Sequence, residues 1–277
     1  MLIQNRSDYI YTLERCMETN APYIALIEDD VILAEGWMAR TLDALKQLLL
    51  NPSSIRQTTT THSTSKKPWL YLRLFYTETA LAWQPDFDFW YAHMSLAFGL
   101  AMTVGLAMLM GVRRKWPATR ARALDIPTVA VICLVTIPAF LALVFMIGKY
   151  SLSPLNGVVR MNKFGCCTQA MVYPRTQVPG LVTYLRKRND GQTDSMIEEY
   201  ADDNGLERFA LAPQVVQHIG LYSSRDNTLV NTQSNWAFYF ETNSPVKLER
   251  EHEKALAGGM KRWDVLRTPT DEGKKNS

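Results

Sequence analysis

Apolar and polar residues follow one another along this chain in blocks that predict alternating strands and helices. The most informative block is Tyr23–Leu33, in which five apolar residues precede three carboxylates, Glu28, Asp29 and Asp30. Consecutive apolar residues with β-branched members predict a strand buried on both faces, as in a parallel sheet. The carboxylates would follow the carboxyl end of that strand, where open α/β sheets bind ligands. The alternative is an acidic turn and a helix N-cap, which Asp also favours.

The same alternation continues on both sides of the middle of the chain. Helices are predicted over 7–20, 36–50, 179–187 and 193–201. Strands or strand-like apolar segments are predicted over 69–76, 165–173, 206–213 and 236–240. Residues 53–67 form a polar loop in this interpretation, and the charged residues from about 246 onward predict a frayed tail.

Two long apolar runs in the middle of the chain contain no Asp, Glu, Lys or Arg. They extend over Met94–Val112 and Ile126–Gly148. A helix needs roughly 17 to 25 apolar residues to cross a hydrocarbon core. We therefore predict two membrane spans, over about 91–112 and 126–148. The alternative, a buried helical hairpin in a soluble core, is disfavoured because so short a chain leaves little protein to cover both helices.

Charge adds an orientation to these spans. The overall net charge of +3 gives no reason to expect nucleic acid as a partner. The connector 113–125, however, carries a cluster of basic residues against one acid, namely Arg113, Arg114, Lys115, Arg120, Arg122 and Asp125. By the positive-inside rule the connector faces the cytosol, so 1–90 and 150–277 share the opposite, lumenal side. A transporter is disfavoured because neither span carries an ionisable group in its interior.

The predicted organisation is one α/β domain interrupted by a membrane hairpin. Segments 1–90 and 150–245 would form the two parts of that domain, 91–149 the hairpin, and 246–277 a polar tail. Of the cysteines, Cys133 lies inside the second span, which leaves Cys16, Cys166 and Cys167 for an oxidising compartment. One disulfide and one spare thiol are expected, and the spacing does not choose the pair.

Several motifs combine with this layout. They are Leu26–Ile32, Tyr71–Glu78, Gly165–Met171, Val216–Gly220 and the pair Ser223-Ser224. Together with the apolar hairpin they resemble the post-GPI-attachment N-acetylgalactosamine transferases. The resemblance implies a Golgi membrane enzyme with a GT-A glycosyltransferase domain split by a transmembrane hairpin. Such an enzyme transfers GalNAc from a UDP-sugar to the mannose of glycosylphosphatidylinositol (GPI) anchors, with inversion.

The resemblance also implies a metal site. Glu28-Asp29-Asp30 resembles a variant of the Asp-X-Asp motif, with Asp30 as a direct ligand and Glu28 as a ligand through water or a ribose contact. His218 resembles the C-terminal histidine that closes the metal site, although a lone His beside apolar residues is more often a satisfied core residue. Oxygen ligands suit Mn²⁺ or Mg²⁺, which would stabilise a departing diphosphate.

An inverting transferase also needs a base for the acceptor hydroxyl. Asp194 opens a predicted helix and is the candidate, ahead of Glu198 and Glu199, with a plain N-cap as the alternative. Arg73 and Glu78 border the second strand and are predicted to contact acceptor or diphosphate, unless they lie on a solvated edge. Trp83 is predicted to shape an acceptor groove near the bilayer, or else to anchor the chain at the membrane interface.

The resemblance also implies an N-terminal membrane anchor and first GT-A strands, which this chain is expected to lack. The complete protein is therefore expected to be longer. The competing hypothesis for function is a truncated, non-catalytic homologue or a membrane scaffold.

Overall fold

The structure is a computed structural model, and it describes residues 2–50, 68–77, 81, 89, 93–116, 123–147, 155–161, 165, 167–188, 191–220 and 236–258. The chain divides into two compact units. The first unit combines residues 1–81 with 154–277, and the second contains residues 82–153.

Helices occur in both units. In chain order they are α1 (Leu2–Met17), α2 (Trp37–Leu50), α3 (Met94–Lys115), α4 (Ile126–Ile147), α5 (Val178–Lys187), α6 (Thr193–Asp203) and α7 (Pro245–Ala257). Helix α4 contains a π-helical turn at Ile132–Thr136. Short 3₁₀ turns cover Arg175–Gln177 and Phe238–Thr242.

The strands lie in the first unit. They are β1 (Tyr23–Ile27), β2 (Val31–Leu33), β3 (Trp69–Arg73), β4 (Gly157–Arg160), β5 (Ala170–Pro174), β6 (Glu207–Ala212) and β7 (Val216–His218). Five of them form a sheet in the order β1-β5-β3-β6-β4, and β2 pairs with β7 in a second sheet. Only β3 and β6 are parallel neighbours among these pairs. Because β5 is antiparallel to both β1 and β3, the strands β1, β3 and β6 point the same way.

Both parts of the chain that flank the apolar helices contribute to one sheet. Strands β1 and β3 precede α3, whereas β4, β5 and β6 follow α4. The α/β class predicted from the sequence is confirmed. The GT-A assignment and the domain boundaries stay predictions.

The main sheet is buried on two faces at its second strand. In β5, Ala170 and Val172 pack into a cluster with Leu45 and Leu48 of α2. The next residue along the strand, Tyr173, meets α1 on the other side, where its hydroxyl lies 2.7 Å from that of Tyr9. Alternate β5 side chains therefore enter two different cores, as the period of two along a strand requires.

One strand differs from its prediction. The first strand was expected to be buried on both faces of a parallel sheet. Instead β1 lies at the edge of the sheet that the described strands form, and its ladder pairs it with antiparallel β5. Ile24 and Leu26 are buried while Ala25 and Ile27 are exposed. A five-residue apolar run cannot distinguish a central strand from an edge strand, because the difference depends on distant neighbours.

The C-terminal predictions were wrong for the residues that the structure describes there, 236–258. Residues 236–240 were expected to form a strand, but the chain forms a 3₁₀ turn over Phe238–Thr242. The tail expected to fray from about 246 contains helix α7, capped by Ser244 and anchored by the buried Leu248. Its Glu251 pairs with Arg40 of α2 at 2.7 Å. Because Leu248 is the buried residue described for this helix, its sequence is mostly polar and resembles that of an unstructured tail.

The second unit contains the apolar helices α3 and α4. Each has 22 residues and is long and apolar enough to cross a membrane. Basic residues occupy the last turn of α3, where Arg113, Arg114 and Lys115 lie in sequence. Asp125 caps α4 by accepting a hydrogen bond from the Thr128 amide. These lengths agree with the predicted spans.

Candidate active site

The site is built at one edge of the main sheet. Because β1, β3 and β6 point the same way, their carboxyl ends share an edge, and β5 begins there. Glu28 follows β1, and its amide donates to the Gln169 carbonyl at 2.8 Å. The Leu74 amide, which follows β3, donates to the Ala170 carbonyl at 3.0 Å. The three predicted carboxylates therefore emerge at an edge that several strands define.

Asp30 and His218 are brought together by the small second sheet. Val31 of β2 pairs with His218 of β7, and the Ile219 amide donates to the Asp30 carbonyl at 2.9 Å. As a result, His218 Nε2 lies 2.9 Å from Asp30 Oδ2. The imidazole is 9 % exposed and tilts against the Phe75 ring, whereas the Asp30 side chain is 40 % exposed. The pair has a buried side and an open side.

Two atoms of this pair have unused bonding capacity. Asp30 Oδ1 and His218 Nδ1 are buried and make no hydrogen bond within the described part of the chain. A buried polar atom without a partner costs about 1–3 kcal/mol. A cation bound to the carboxylate would remove that cost for Asp30. The donor set thus fits a divalent ion.

The other two predicted ligands lie differently. Glu28 accepts a hydrogen bond from the Thr168 hydroxyl at 2.6 Å, while Asp29 is exposed. Burial raises the pKa of the Glu28 carboxyl; the Thr168 hydroxyl opposes this shift, and the charge of Asp30 adds to it. Across the described ranges, no three His, Cys, Asp or Glu side chains form a ready metal cluster. Mg²⁺-type sites often use one or two carboxylates and complete their shell with substrate phosphates, so two protein ligands suffice.

The candidate base Asp194 lies in the first turn of α6. The N-cap of this helix is Gln192, so the plain-cap alternative for Asp194 is wrong. One carboxylate oxygen, Oδ2, accepts a hydrogen bond from the Cys167 amide at 3.2 Å, and the other accepts from the Ser195 amide at 2.8 Å. Its side chain is thus directed toward the segment that leads into β5.

The segment before β5 links Asp194 to Glu28. Within Cys167–Gln169, the first residue holds Asp194, the second holds Glu28 through its hydroxyl, and the third accepts the Glu28 amide. Cys167 has a φ of 78°, in the left-handed region, and is disulfide-bonded. Cys16 and Cys133 are free thiols. The expectation of one disulfide and one spare thiol agrees with these states, and it is the structure that makes Cys16 the spare thiol.

The structure places Arg73 inside the protein. Its side chain is 1 % exposed and pairs with Glu198 at 2.8 Å. Burial lowers the pKa of the guanidinium, but Tyr71 and Glu198 outweigh that effect and leave the pKa above its ordinary value. Contact between Arg73 and substrate stays a prediction that this burial disfavours. Glu78 and Trp83, the other predicted substrate contacts, lie outside the described residues.

A family model described as GPI-N-acetylgalactosamine transferase PGAP4 matches residues 2–217 of the chain. The chain belongs to this family. The resemblance inferred from the motifs is thereby confirmed. The match includes the carboxylate motif, both apolar helices, Arg73 and Asp194, and ends one residue before His218. No solved structure matches the chain.

Sequence reasoning missed several residues of this transferase-family site. Thr168 was part of a recognised motif, but nothing in its spacing showed that it holds Glu28. Glu198 was considered only as a weaker base. The structure buries it on α6 beside Met196, Ile197 and Ala201, where a carboxylate requires a charged partner. Nothing in the sequence marked Gly220, which the fold places close against Asp30 and His218.

Gly220 provides a test of the metal site that removes no ligand. A Cβ on Gly220 would lie 2.3 Å from Asp30 Oδ2 and 2.8 Å from His218 Nε2. Gly220→Ala should therefore separate the pair and weaken Mn²⁺ binding roughly 10- to 100-fold, as loss of ligand orientation does. Titration of Mn²⁺ in the presence of UDP measures this. Gly99→Ala is the matched control, because nothing lies within 4 Å of its Cβ. Equal Mn²⁺ affinity in both variants would contradict the assignment.

Proposed function

We propose that this chain is a metal-dependent, inverting glycosyltransferase that transfers GalNAc from UDP-GalNAc to the mannose of the GPI glycan. Family membership supports the transferase class, and the family is named for N-acetylgalactosamine and for GPI. The observation that carries the proposal is the Asp30–His218 pair, 2.9 Å apart at the carboxyl edge of the sheet. A GT-A arrangement of that domain is part of the proposal.

Asp30 and His218 would hold Mn²⁺ or Mg²⁺. When bound, the ion supplies Lewis-acid stabilisation of the diphosphate that leaves the sugar. Asp30 offers Oδ1 to that ion, an atom with no hydrogen-bond partner among the described residues. Glu28, oriented by Thr168, lies on the same edge and is assigned to the donor ribose or to a metal-bound water.

Asp194 is assigned as the base. The acceptor hydroxyl oxygen forms a bond to the anomeric carbon as the bond from that carbon to the diphosphate breaks. The hydroxyl proton passes to the Asp194 carboxylate, and UDP departs. Displacement on the face opposite the leaving group inverts the anomeric configuration. The Cys167 amide donates to Asp194 Oδ2 and so orients the carboxylate for this proton transfer.

We place the enzyme in the Golgi membrane, with α3 and α4 as its spans. The basic residues at the end of α3 support a cytosolic connector. The rest of the chain, which contains the carboxylate edge, would then be lumenal. A lipid-anchored glycan reaches a lumenal enzyme by diffusion along the bilayer.

The proposal is tested with the full chain in lipid nanodiscs. UDP-GalNAc is titrated with Mn²⁺ present and after chelation with EDTA, and transfer to a GPI glycan is then followed by mass spectrometry. We expect binding and transfer only with Mn²⁺, restored when the metal is added back. UDP-N-acetylglucosamine is the control donor and should transfer more slowly. Absence of metal-dependent donor binding would instead support the non-catalytic scaffold.

A further inference from the structure

Arg73 joins two elements that position Asp194. Its Nη1 donates to the Cys167 carbonyl at 2.6 Å, and its Nη2 donates to Glu198 Oε1 at 2.8 Å. The amide of the same Cys167 donates to Asp194 at 3.2 Å. Glu198 lies four residues after Asp194 on α6, one helical turn away and on the same side of the helix. Arg73, Cys167, Asp194 and Glu198 therefore form a closed ring, in which the helix α6 joins the last two.

The ring is made of groups whose orientation is strongly determined. Arg73 and Glu198 are 1 % and 9 % exposed. The Tyr71 hydroxyl also donates to Glu198 Oε1 at 2.6 Å, and Arg208 forms an ion pair with the other carboxylate oxygen at 2.9 Å. Helix α6 is thus fixed to β3 and β6 by one buried carboxylate. Removing one partner from such a buried charge pair is strongly destabilising.

Cys167 is the strained part of this arrangement. Its φ of 78° lies in a region that non-glycine residues rarely adopt, so surrounding contacts must hold it there. The hydrogen bond from Arg73 to its carbonyl is such a contact. If that bond is lost, the Cys167 amide can turn away from Asp194. The direction of the Asp194 carboxylate then depends on the Ser195 amide.

We infer that Arg73 is a positioning residue. Its planar guanidinium binds both Cys167 and Glu198 and thereby orients Asp194 for proton transfer. This inference rests on the proposed function, in which Asp194 is the base. It differs from the sequence-based expectation that Arg73 contacts substrate. A guanidinium suits the role because its donors form a rigid fork that spans two acceptors, whereas a lysine ammonium does not.

Arg73→Lys is the test, measured with the full chain in nanodiscs. Lysine keeps the positive charge beside Glu198 but cannot reach both acceptors. We expect kcat to fall roughly 10- to 100-fold, as misplacement of a catalytic group does. The KM for UDP-GalNAc should stay unchanged. In the Asp194→Asn background, Arg73→Lys should have little further effect, because it acts through the group already removed.

The control is Arg40→Lys. Arg40 also makes a charged pair, with Glu251 at 2.7 Å, and a bond to Asn243 at 2.8 Å, but it touches none of the ring. This variant should lose thermal stability and keep its kcat. A raised KM with unchanged kcat in Arg73→Lys would mean substrate contact and overturn the inference. An equal loss of kcat from Arg73→Lys in the wild-type and the Asp194→Asn enzymes would also overturn it. Full activity of Asp194→Asn would instead reject the proposed base.

If Arg73→Lys does not fold, Gly165→Ala disturbs the same pair with every charge in place. A Cβ on Gly165 would lie 2.7 Å from Glu198 Oε1 and 2.9 Å from Arg73 Nη2. A folded Gly165→Ala enzyme should show reduced kcat with an unchanged KM for UDP-GalNAc. Unchanged kcat in that folded variant would overturn the inference.

Discussion

Asp30→Asn is expected to lower GalNAc transfer at least about 100-fold, because loss of a metal ligand removes several kcal/mol of charge stabilisation. Asparagine has nearly the same shape and can keep a hydrogen bond to His218 Nε2. The change therefore removes charge and metal affinity more than structure. We expect the thermal unfolding temperature to change little and Mn²⁺-dependent UDP binding to be lost.

The measurement compares transfer rate and Mn²⁺ binding for Asp30→Asn with those for Asp8→Asn. Asp8 is an exposed carboxylate of α1, so its replacement makes the same chemical change away from the site. Excess Mn²⁺ should restore part of the activity if the remaining ligand is His218. An Asp30→Asn enzyme with full activity would contradict the metal site and, with it, the metal-dependent mechanism.

Asp194→Asn is expected to lower kcat about 10²- to 10⁴-fold, the usual contribution of a positioned base. Asparagine has one acceptor oxygen and keeps one of the two hydrogen bonds, from Cys167 or from Ser195. Glu198 still holds α6 through Arg73 and Arg208, so the fold of this helix should persist. Donor binding should also persist, because Asp194 contacts neither Asp30 nor His218 among the described contacts. The distinctive result is therefore loss of kcat without loss of Mn²⁺ or UDP affinity.

The matched control is Asp203→Asn, which makes the same change at the other end of α6. Asp203 is exposed and contacts only the Tyr184 hydroxyl, at 3.4 Å, among the contacts described for it. Its replacement should leave kcat unaltered. Should Asp194→Asn lose donor affinity as much as kcat, Asp194 would belong to the donor site and another group would have to accept the proton.

Local patterns were enough to predict most of the regular elements. Helix α2 was predicted over 36–50 and covers Trp37–Leu50, and α6 was predicted over 193–201 and covers Thr193–Asp203. Both apolar helices begin and end within a few residues of their predicted bounds. Each of these elements has a strong periodicity or a long apolar run, which is a property of neighbouring residues only. Helix α7 lacked that signal because its buried stripe is narrow.

The candidate site was only partly predictable. The motifs identified Asp30 and His218, and a predicted helix start identified Asp194. The structure places Asp30 and His218 in direct contact. Their roles as ligands and base stay predictions. The sequence could not show that Glu28 is held by Thr168, nor that Arg73 points inward. A residue near the end of a strand can face solvent or core, and the choice depends on which elements cover it.

The sequence by itself determined the α/β class, the two apolar helices with their basic connector, and the family. All of these follow from the order and spacing of residue types. The tertiary structure alone decided which side chains meet, because those partners are far apart in the chain. Asp30 and His218 are separated by 188 residues, and Arg73 and Glu198 by 125. Strand pairing and burial bring them together, and no local pattern records the outcome.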